Sequence, residues 1–338
     1  MTKVLSIVGN RPQFIKSAPL SVALREAGID EVVLHTGQHW DPDMSQIFFD
    51  ELDLPEPAHR LDLRTSDAVA MTPPIREVIE SERPDWVLVF GDTNSTLAGA
   101  HAAGEEVPVA HVEAGLRSFD LSMPEERNRI EVDRLSALLF CPDERSAAQL
   151  ESERVPGRRE VVGDVMGDAT RLFEPAALRL QLPYESPFAV LTIHRQANTE
   201  PQRLQAIVAA VNAVERRFVF PVHPRTRHAL DEHDLRLAAH VETVEPLGYL
   251  EMLSLVAGAE AVVTDSGGLQ KEAYWLRVPC VTLRATTEWV DTVAAGANRL
   301  AEPAELTGAL AGAVFPDDAP PLYGDGHASE RIAAALYA

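Results

Sequence analysis

Short β-branched apolar runs alternate with helix-patterned segments from the third residue onward, and this alternation constrains the fold more than any other feature of the chain. Lys3–Val8 reads as a strand broken by Gly9-Asn10-Arg11-Pro12. Residues 14–27 then space Ile15, Pro19, Leu20 and Leu24 as a helix that stops at Gly28. Further strands are expected over 31–36, 85–90 and 107–112, with an alanine-rich helix before Gly104. A second series follows at 188–193, 217–222, 241–245, Ala261–Thr264 and 279–283. Such alternation demands parallel sheets covered by helices on both faces. Two series predict two Rossmann-like domains, residues 1–166 and 167–325, with the boundary near 163–187. The apolar tail helix within 326–338 is expected to pack back on the first domain. No repeat of solenoid period and no low-complexity tract is present.

Polar residues gather where the strands end. Arg11, Gln38-His39, Asp92, Glu113, His194, His223 and Ser266-Gly267-Gly268 each lie just past a predicted strand, the edge at which open α/β sheets bind ligands. Two such edges facing each other would make a central cleft. Thr264-Asp265-Ser266-Gly267-Gly268 leads from a strand into a helix, so unpaired amides and the positive end of the helix meet two glycines that let a phosphate approach. Glu272, one turn on, is placed to accept the two hydroxyls of a ribose. Taken alone, Ser-Gly-Gly reads equally as a tight connection capped by Ser266.

Three carboxylates stand at strand ends or the helix start that follows: Asp92, Glu113 and Glu125. Singly each suits a cap or a salt bridge, and Arg129 is spaced to pair with Glu125 along a helix. Clustered, like charges leave one carboxyl able to hold a proton or act as a base near neutrality. His194 and His223 follow strands and suit proton donation to a leaving phosphate, with Arg11 and Lys16 as local positive charge. His228, His233 and His240 lie in polar stretches and read as solvated. No ligand spacing supports a metal, and Gly9-Asn10-Arg11-Pro12-Gln13 lacks the glycine pattern of a nicotinamide cofactor site.

Composition narrows the partners. A formal charge of −22 over 338 residues argues against nucleic acid or a membrane surface, and no run approaches a membrane span, so a cytoplasmic globular protein is expected. Lys3, Lys16 and Lys271 are the only lysines. An acidic, lysine-poor chain fits a salt-rich cytoplasm or an arginine-biased genome alike; stability indifferent to molar salt would remove the first. Cys141 and Cys280 read as buried free thiols.

Eight segments in order resemble the non-hydrolysing UDP-N-acetylglucosamine 2-epimerases: residues 9–16, 36–39, 91–93, 111–117, 124–129, 194–195, 221–224 and 264–270. The resemblance implies a GT-B fold, usually as a homodimer, that binds a UDP-sugar and needs no cofactor. It also implies anti elimination of UDP to a 2-acetamidoglucal, followed by re-addition with C2 inverted. Position by position, Asp92, Glu113 and Glu125 match the catalytic carboxylates and His194 the histidine that assists departure of UDP; Arg11, Lys16, Ser266, Gly267, Gly268 and Glu272 match nucleotide-binding positions. Arg195 and His223 match residues that hold a second, activating UDP-sugar in bacterial members.

The chain departs from that pattern in two places. Thr286-Thr287-Glu288 continues as Trp289-Val290-Asp291 instead of Arg-Pro-Glu, and Gln38-His39 is followed by Trp40-Asp41 instead of a basic and polar pair. Activation by substrate is put in question by the second change. Alternatives within enzymes are a 2-epimerase for a modified UDP-sugar such as a diacetamido uronic acid, a hydrolysing epimerase and a GT-B glycosyltransferase. From another class, a non-catalytic nucleotide-sugar binding protein would keep the strand-end residues without turnover.

Overall fold

The computed structural model describes residues 1–38 and 56–337 and divides the chain into two compact units, Met1–Leu172 with Tyr323–Ala338, and Phe173–Leu322. His39, Trp40 and Asp41 lie outside the described residues.

In the first unit seven parallel strands are β1 (Lys3–Val8), β2 (Asp30–His35), β3 (His59–Arg60), β4 (Trp86–Phe90), β5 (Val109–Val112), β6 (Leu138–Cys141) and β7 (Arg158–Val161). Their order is β3-β2-β1-β4-β5-β6-β7, so the direction of winding reverses between β1 and β4. Ile7 pairs with Val89 and Val89 with His111, which brings the ends of β1, β4 and β5 level. Helices α1 (Arg11–Glu26), α2 (Ala68–Glu82), α3 (Asn94–Ala103), α4 (Pro124–Leu135), α5 (Glu144–Ser152) and α6 (Val165–Ala177) connect or follow the strands. The inner strands β4, β5 and β6 are almost wholly apolar because helices cover both faces; Leu5, Ile7, Val87, Val89, Met71 and Ile75 are completely buried. The division between units falls inside α6. The last helix, Ala328–Tyr337, packs on α1 and starts where Asp168 accepts the amides of Ala328 (3.1 Å) and Ser329 (2.6 Å).

The second unit repeats the plan with β8 (Ala189–Thr192), β9 (Phe218–Pro221), β10 (Val241–Val244), β11 (Ala261–Thr264), β12 (Cys280–Thr282) and β13 (Asn298–Leu300), ordered β10-β9-β8-β11-β12-β13. Here winding reverses between β8 and β11. The helices are α7 (Gln196–Thr199), α8 (Pro201–Ala213), α9 (Pro224–Glu232), α10 (Tyr249–Ala257), α11 (Gly267–Trp275), α12 (Val290–Ala294) and α13 (Leu306–Ala311).

Sequence pattern missed the outer strands β3, β7 and β13. Arg158–Val161 is mostly charged and exposed, and His59–Arg60 and Asn298–Leu300 are very short, so no apolar alternation marks them. They pair only at sheet edges, where one neighbour suffices. His240 also differs from its solvated reading: its ring packs against Phe218 with centroids 6.4 Å apart. Cys141 and Cys280 are free and buried, and removal from water pushes both thiols up to about 12. Among the described residues no helix is long and apolar enough to cross a membrane.

Candidate active site

Both winding reversals coincide with the polar strand ends, and in each unit the turns on either side of the reversal are tied together. In the first unit Gln13 does the tying. Its Oε1 accepts the Gly9 amide (2.8 Å), and its Nε2 donates to the Phe90 carbonyl and to Thr96 Oγ1 (both 2.9 Å). Ser95 adds a third turn, meeting Thr36 Oγ1 at 2.8 Å and Gln38 Oε1 at 2.7 Å. A side chain on Gly9 would lie 2.1 Å from Ser95 Oγ, so only glycine lets these turns approach.

Over this scaffold sits an alternating set of charges. Lys16, in the second turn of α1, pairs with Glu113, and Arg129 pairs with Asp92. Helix α4 opens with Pro124 and two acidic residues in its first turn, both favourable there, and projects Glu126, Arg129 and Asp133 from one face by their i, i+3, i+7 spacing. Arg129 therefore bonds Glu126 (2.7 Å) as well as Asp92, and not the Glu125 that its spacing suggested. Glu125 is exposed, whereas Glu126 is buried and accepts the amides of Ser118 (2.9 Å) and Phe119 (3.0 Å). Asn128 completes the hold on Asp92 through its carbonyl (3.0 Å).

Removal from water raises the Asp92 pKa above the ordinary carboxylate value, against the pull of Arg129 and Lys16, and the like charges of Glu113 and Glu125 push it further up. Glu113 itself sits at φ +72°, in the left-handed region that disfavours a side chain. Arg11 begins α1, half-buried, on the same sheet edge.

In the second unit the strand ends of β8 and β11 are joined by Asp265. This fully buried carboxylate accepts the amides of His194 (3.1 Å) and Arg195 (3.0 Å), Nδ2 of Asn198 (3.0 Å) and Nδ1 of His194 (3.1 Å). Burial alone would raise its pKa, but these donors and the His194 charge hold it below the ordinary value. Ser266 caps α11, its Oγ accepting the Leu269 amide at 3.4 Å. A Cβ on Gly267 would lie 3.4 Å from Trp289 Nε1 and 3.8 Å from Arg195 Nη2, and one on Gly268 would meet nothing within 4 Å. The amides at the start of α11 are thus approachable, with a guanidinium beside them. Arg195 leans toward Glu288 (3.5 Å), which Arg284 grips at 2.9 and 3.1 Å. Glu272 is buried in the second turn of α11; Lys271, also buried, stands 3.9 Å from the Trp289 ring centre. His223 is exposed, caps α9 through its Nδ1 (3.2 Å to the Arg225 amide), and its ring centre is 5.8 Å from that of His194.

Asp265, Glu126 and Asn128 escaped the sequence reading. The first was passed over inside its own motif, although a carboxylate directly after a strand is the signal that singled out Asp92. Among the described residues no group of three or more His, Cys, Asp or Glu side chains is placed to hold a metal.

Comparison with known proteins places relatives along the whole chain. The family model described as UDP-N-acetylglucosamine 2-epimerase matches residues 22–337. The UDP-2,3-diacetamido-2,3-dideoxy-D-glucuronate 2-epimerase of Pseudomonas aeruginosa is 44% identical over 99% of both chains. The UDP-N-acetylglucosamine 2-epimerase of Methanocaldococcus jannaschii is 40% identical over 88% of both. A crystal structure of the M. jannaschii enzyme in complex with UDP-GlcNAc and UDP superposes with a TM-score of 0.90 at 37% identity, covering 99% of each chain. With two parallel Rossmann-like sheets, this chain shares the GT-B fold of such enzymes.

Proposed function

This chain belongs to the UDP-N-acetylglucosamine 2-epimerase family, an isomerase family, and we propose that it interconverts UDP-GlcNAc and UDP-ManNAc. The observation that carries the reading is the Asp92, Glu113, Lys16 and Arg129 group at the reversal of the first sheet, in a chain whose second sheet presents an open helix N-terminus at its own reversal.

A C2 proton beside a neutral acetamide-bearing carbon is only weakly acidic, so cleavage of the C1–O bond leads, its electron pair leaving with the UDP oxygen. The C2–H pair then closes the C1=C2 bond of a 2-acetamidoglucal, and the proton passes to a carboxylate. Return of UDP oxygen to C1 and of a proton to the opposite face of C2 gives the epimer. The amides of Gly267 and Gly268, Ser266 and Arg195 take up the diphosphate charge, and Glu272 takes the ribose. Asp265 only accepts, so it keeps a hydrogen on Nδ1 of His194 and leaves Nε2 to the departing phosphate. Glu113 and Glu125 stabilise positive charge at C1. Asp92, whose pKa burial raises above the ordinary carboxylate value, holds and moves the proton.

A second reading is favoured by the 44% identity to the diacetamido-glucuronate enzyme over the full length of both chains: the same elimination on a UDP-sugar with a second acetamido group and a C6 carboxylate. Incubation in D₂O with each UDP-sugar, followed by NMR of the C2 proton, tests both. Deuterium at C2 with the C2 epimer formed identifies the substrate. Retention of the C2 proton in both, with UDP bound, would leave a binding protein and overturn the epimerase reading.

A further inference from the structure

His111, the third residue of β5, has no exposed surface, and both its ring nitrogens face oxygen: Nδ1 lies 2.8 Å from Asp133 Oδ1 and Nε2 2.7 Å from the Gly91 carbonyl. A carbonyl only accepts, so Nε2 carries a hydrogen toward Gly91, and Nδ1 shares one with Asp133. Asp133 is equally buried. Its Oδ2 accepts the Gly115 amide (3.3 Å) and Nη1 of Arg117 (2.7 Å), and Arg117 is gripped by Glu153 at 2.8 and 2.7 Å.

One buried series of hydrogen bonds therefore runs from Gly91 through His111 and Asp133 to Gly115. Its ends fall on the residue before Asp92 and the second residue after Glu113. Both turns pass through the left-handed region, at Gly91 (φ +63°), Glu113 (φ +72°) and Gly115 (φ +82°). For a residue with a side chain this conformation costs roughly 1–2 kcal/mol, so Glu113 stays there only while its neighbours hold it. An apolar pair at 111 and 133 would fill the same space without desolvating a carboxylate. What only the polar pair supplies is a fixed orientation of the two peptides beside the two carboxylates.

We infer that His111, backed by Asp133, is a positioning residue that sets Asp92 and Glu113 through the backbone at Gly91 and Gly115. The inference rests on the epimerase reading of that carboxylate pair.

Two substitutions separate the halves of the device. His111→Gln carries an amide as far as the Gly91 carbonyl and releases Asp133; His111→Asn reaches Asp133 and releases Gly91. Turnover by His111→Asn is expected to fall roughly 100-fold, as for a reacting group displaced by about 1 Å, with KM and UDP affinity unchanged. His111→Gln is expected to keep most of kcat. A second readout needs no substrate: the ¹³C-carboxyl titration of Asp92, which Arg129, Lys16, Glu113 and Glu125 face. Its midpoint is expected to drop toward the ordinary value in His111→Asn and to stay raised in His111→Gln. Asp133→Asn, read the same way, stands in if His111→Asn fails to fold, with the expectation of a lowered midpoint. Full kcat in His111→Asn, losses that track Tm equally in both variants, or an Asp92 midpoint indifferent to all three would overturn the assignment. A wild-type protein without turnover on either UDP-sugar overturns the epimerase reading instead, and the titration still decides the part played by His111.

Discussion

Nδ1 of His194 lies 3.1 Å from Oδ1 of Asp265, a carboxylate with no exposed surface that also accepts the backbone amides of His194 and Arg195. The pair joins the ends of β8 and β11, so the histidine is fixed to the turn that opens α11. Asp265→Asn keeps the shape and exchanges an acceptor for a donor, which turns the imidazole tautomer around. We expect kcat to fall about 100-fold or more while UDP affinity, measured by calorimetry, changes little. Equal loss of both would make Asp265 a structural residue only.

Asp92 gives a stability prediction of opposite sign to its catalytic one. Its pKa is raised in the folded protein above the ordinary 3.8, so the folded chain binds more protons than the unfolded one. The stability it contributes is complete below that ordinary value and is lost as pH rises through the folded pKa. Asp92→Asn is therefore expected to abolish turnover yet to have a higher Tm than the wild type at pH 7, with the gap narrowing toward acid. Thermal melts across pH, run beside the D₂O exchange assay, read both effects.

Glu125 and Glu126 are neighbours with different work. Glu126→Gln loses an acceptor of the Ser118 and Phe119 amides and of Arg129. Burial raises the Glu126 pKa, but those donors outweigh it and leave it lowered, so its contribution is present above the ordinary 4.5 and is lost as pH falls through the folded pKa. Urea unfolding at pH 7 should show a cost of about 2 kcal/mol that fades on acidification. Glu125→Gln, on an exposed residue, should leave the unfolding curve in place and remove turnover; a destabilised Glu125→Gln would contradict this division.

Two glycines should answer alanine differently. At Gly115 a Cβ would lie 2.4 Å from the Ser146 carbonyl, and φ is +82°, so Gly115→Ala should cost about 3 kcal/mol or more. At Gly268 a Cβ meets nothing within 4 Å, so Gly268→Ala should melt like the wild type and bind UDP more weakly, because the methyl occupies space above the helix amides. Unchanged UDP affinity in Gly268→Ala would remove the diphosphate from that turn.

Much of this was legible from period and punctuation. The inner strands β1, β4, β5, β8, β9 and β11 are buried on both faces, which forces continuous apolar runs that sequence displays directly. Their C-terminal ends, marked by Gly9, Gly91, His194 and Ser266, located the polar turns for the same reason. What stayed hidden depends on side-chain direction. Nothing in Pro124-Glu125-Glu126 says which glutamate turns inward; that follows from where α4 crosses the sheet. Arg129 was matched to the wrong neighbour because spacing along a helix ignores an Asp92 supplied by another strand. The edge strands β3, β7 and β13 were unreadable because an edge needs little apolar surface.

The first unit is discontinuous in sequence, its last helix following Tyr323 after the whole of the second unit has been laid down. Synthesis is vectorial, so the second unit is made before the helix that packs on α1, buries Ile332, Ala333 and Leu336 and is capped by Asp168. The carboxylate-bearing unit, though begun first, is finished last.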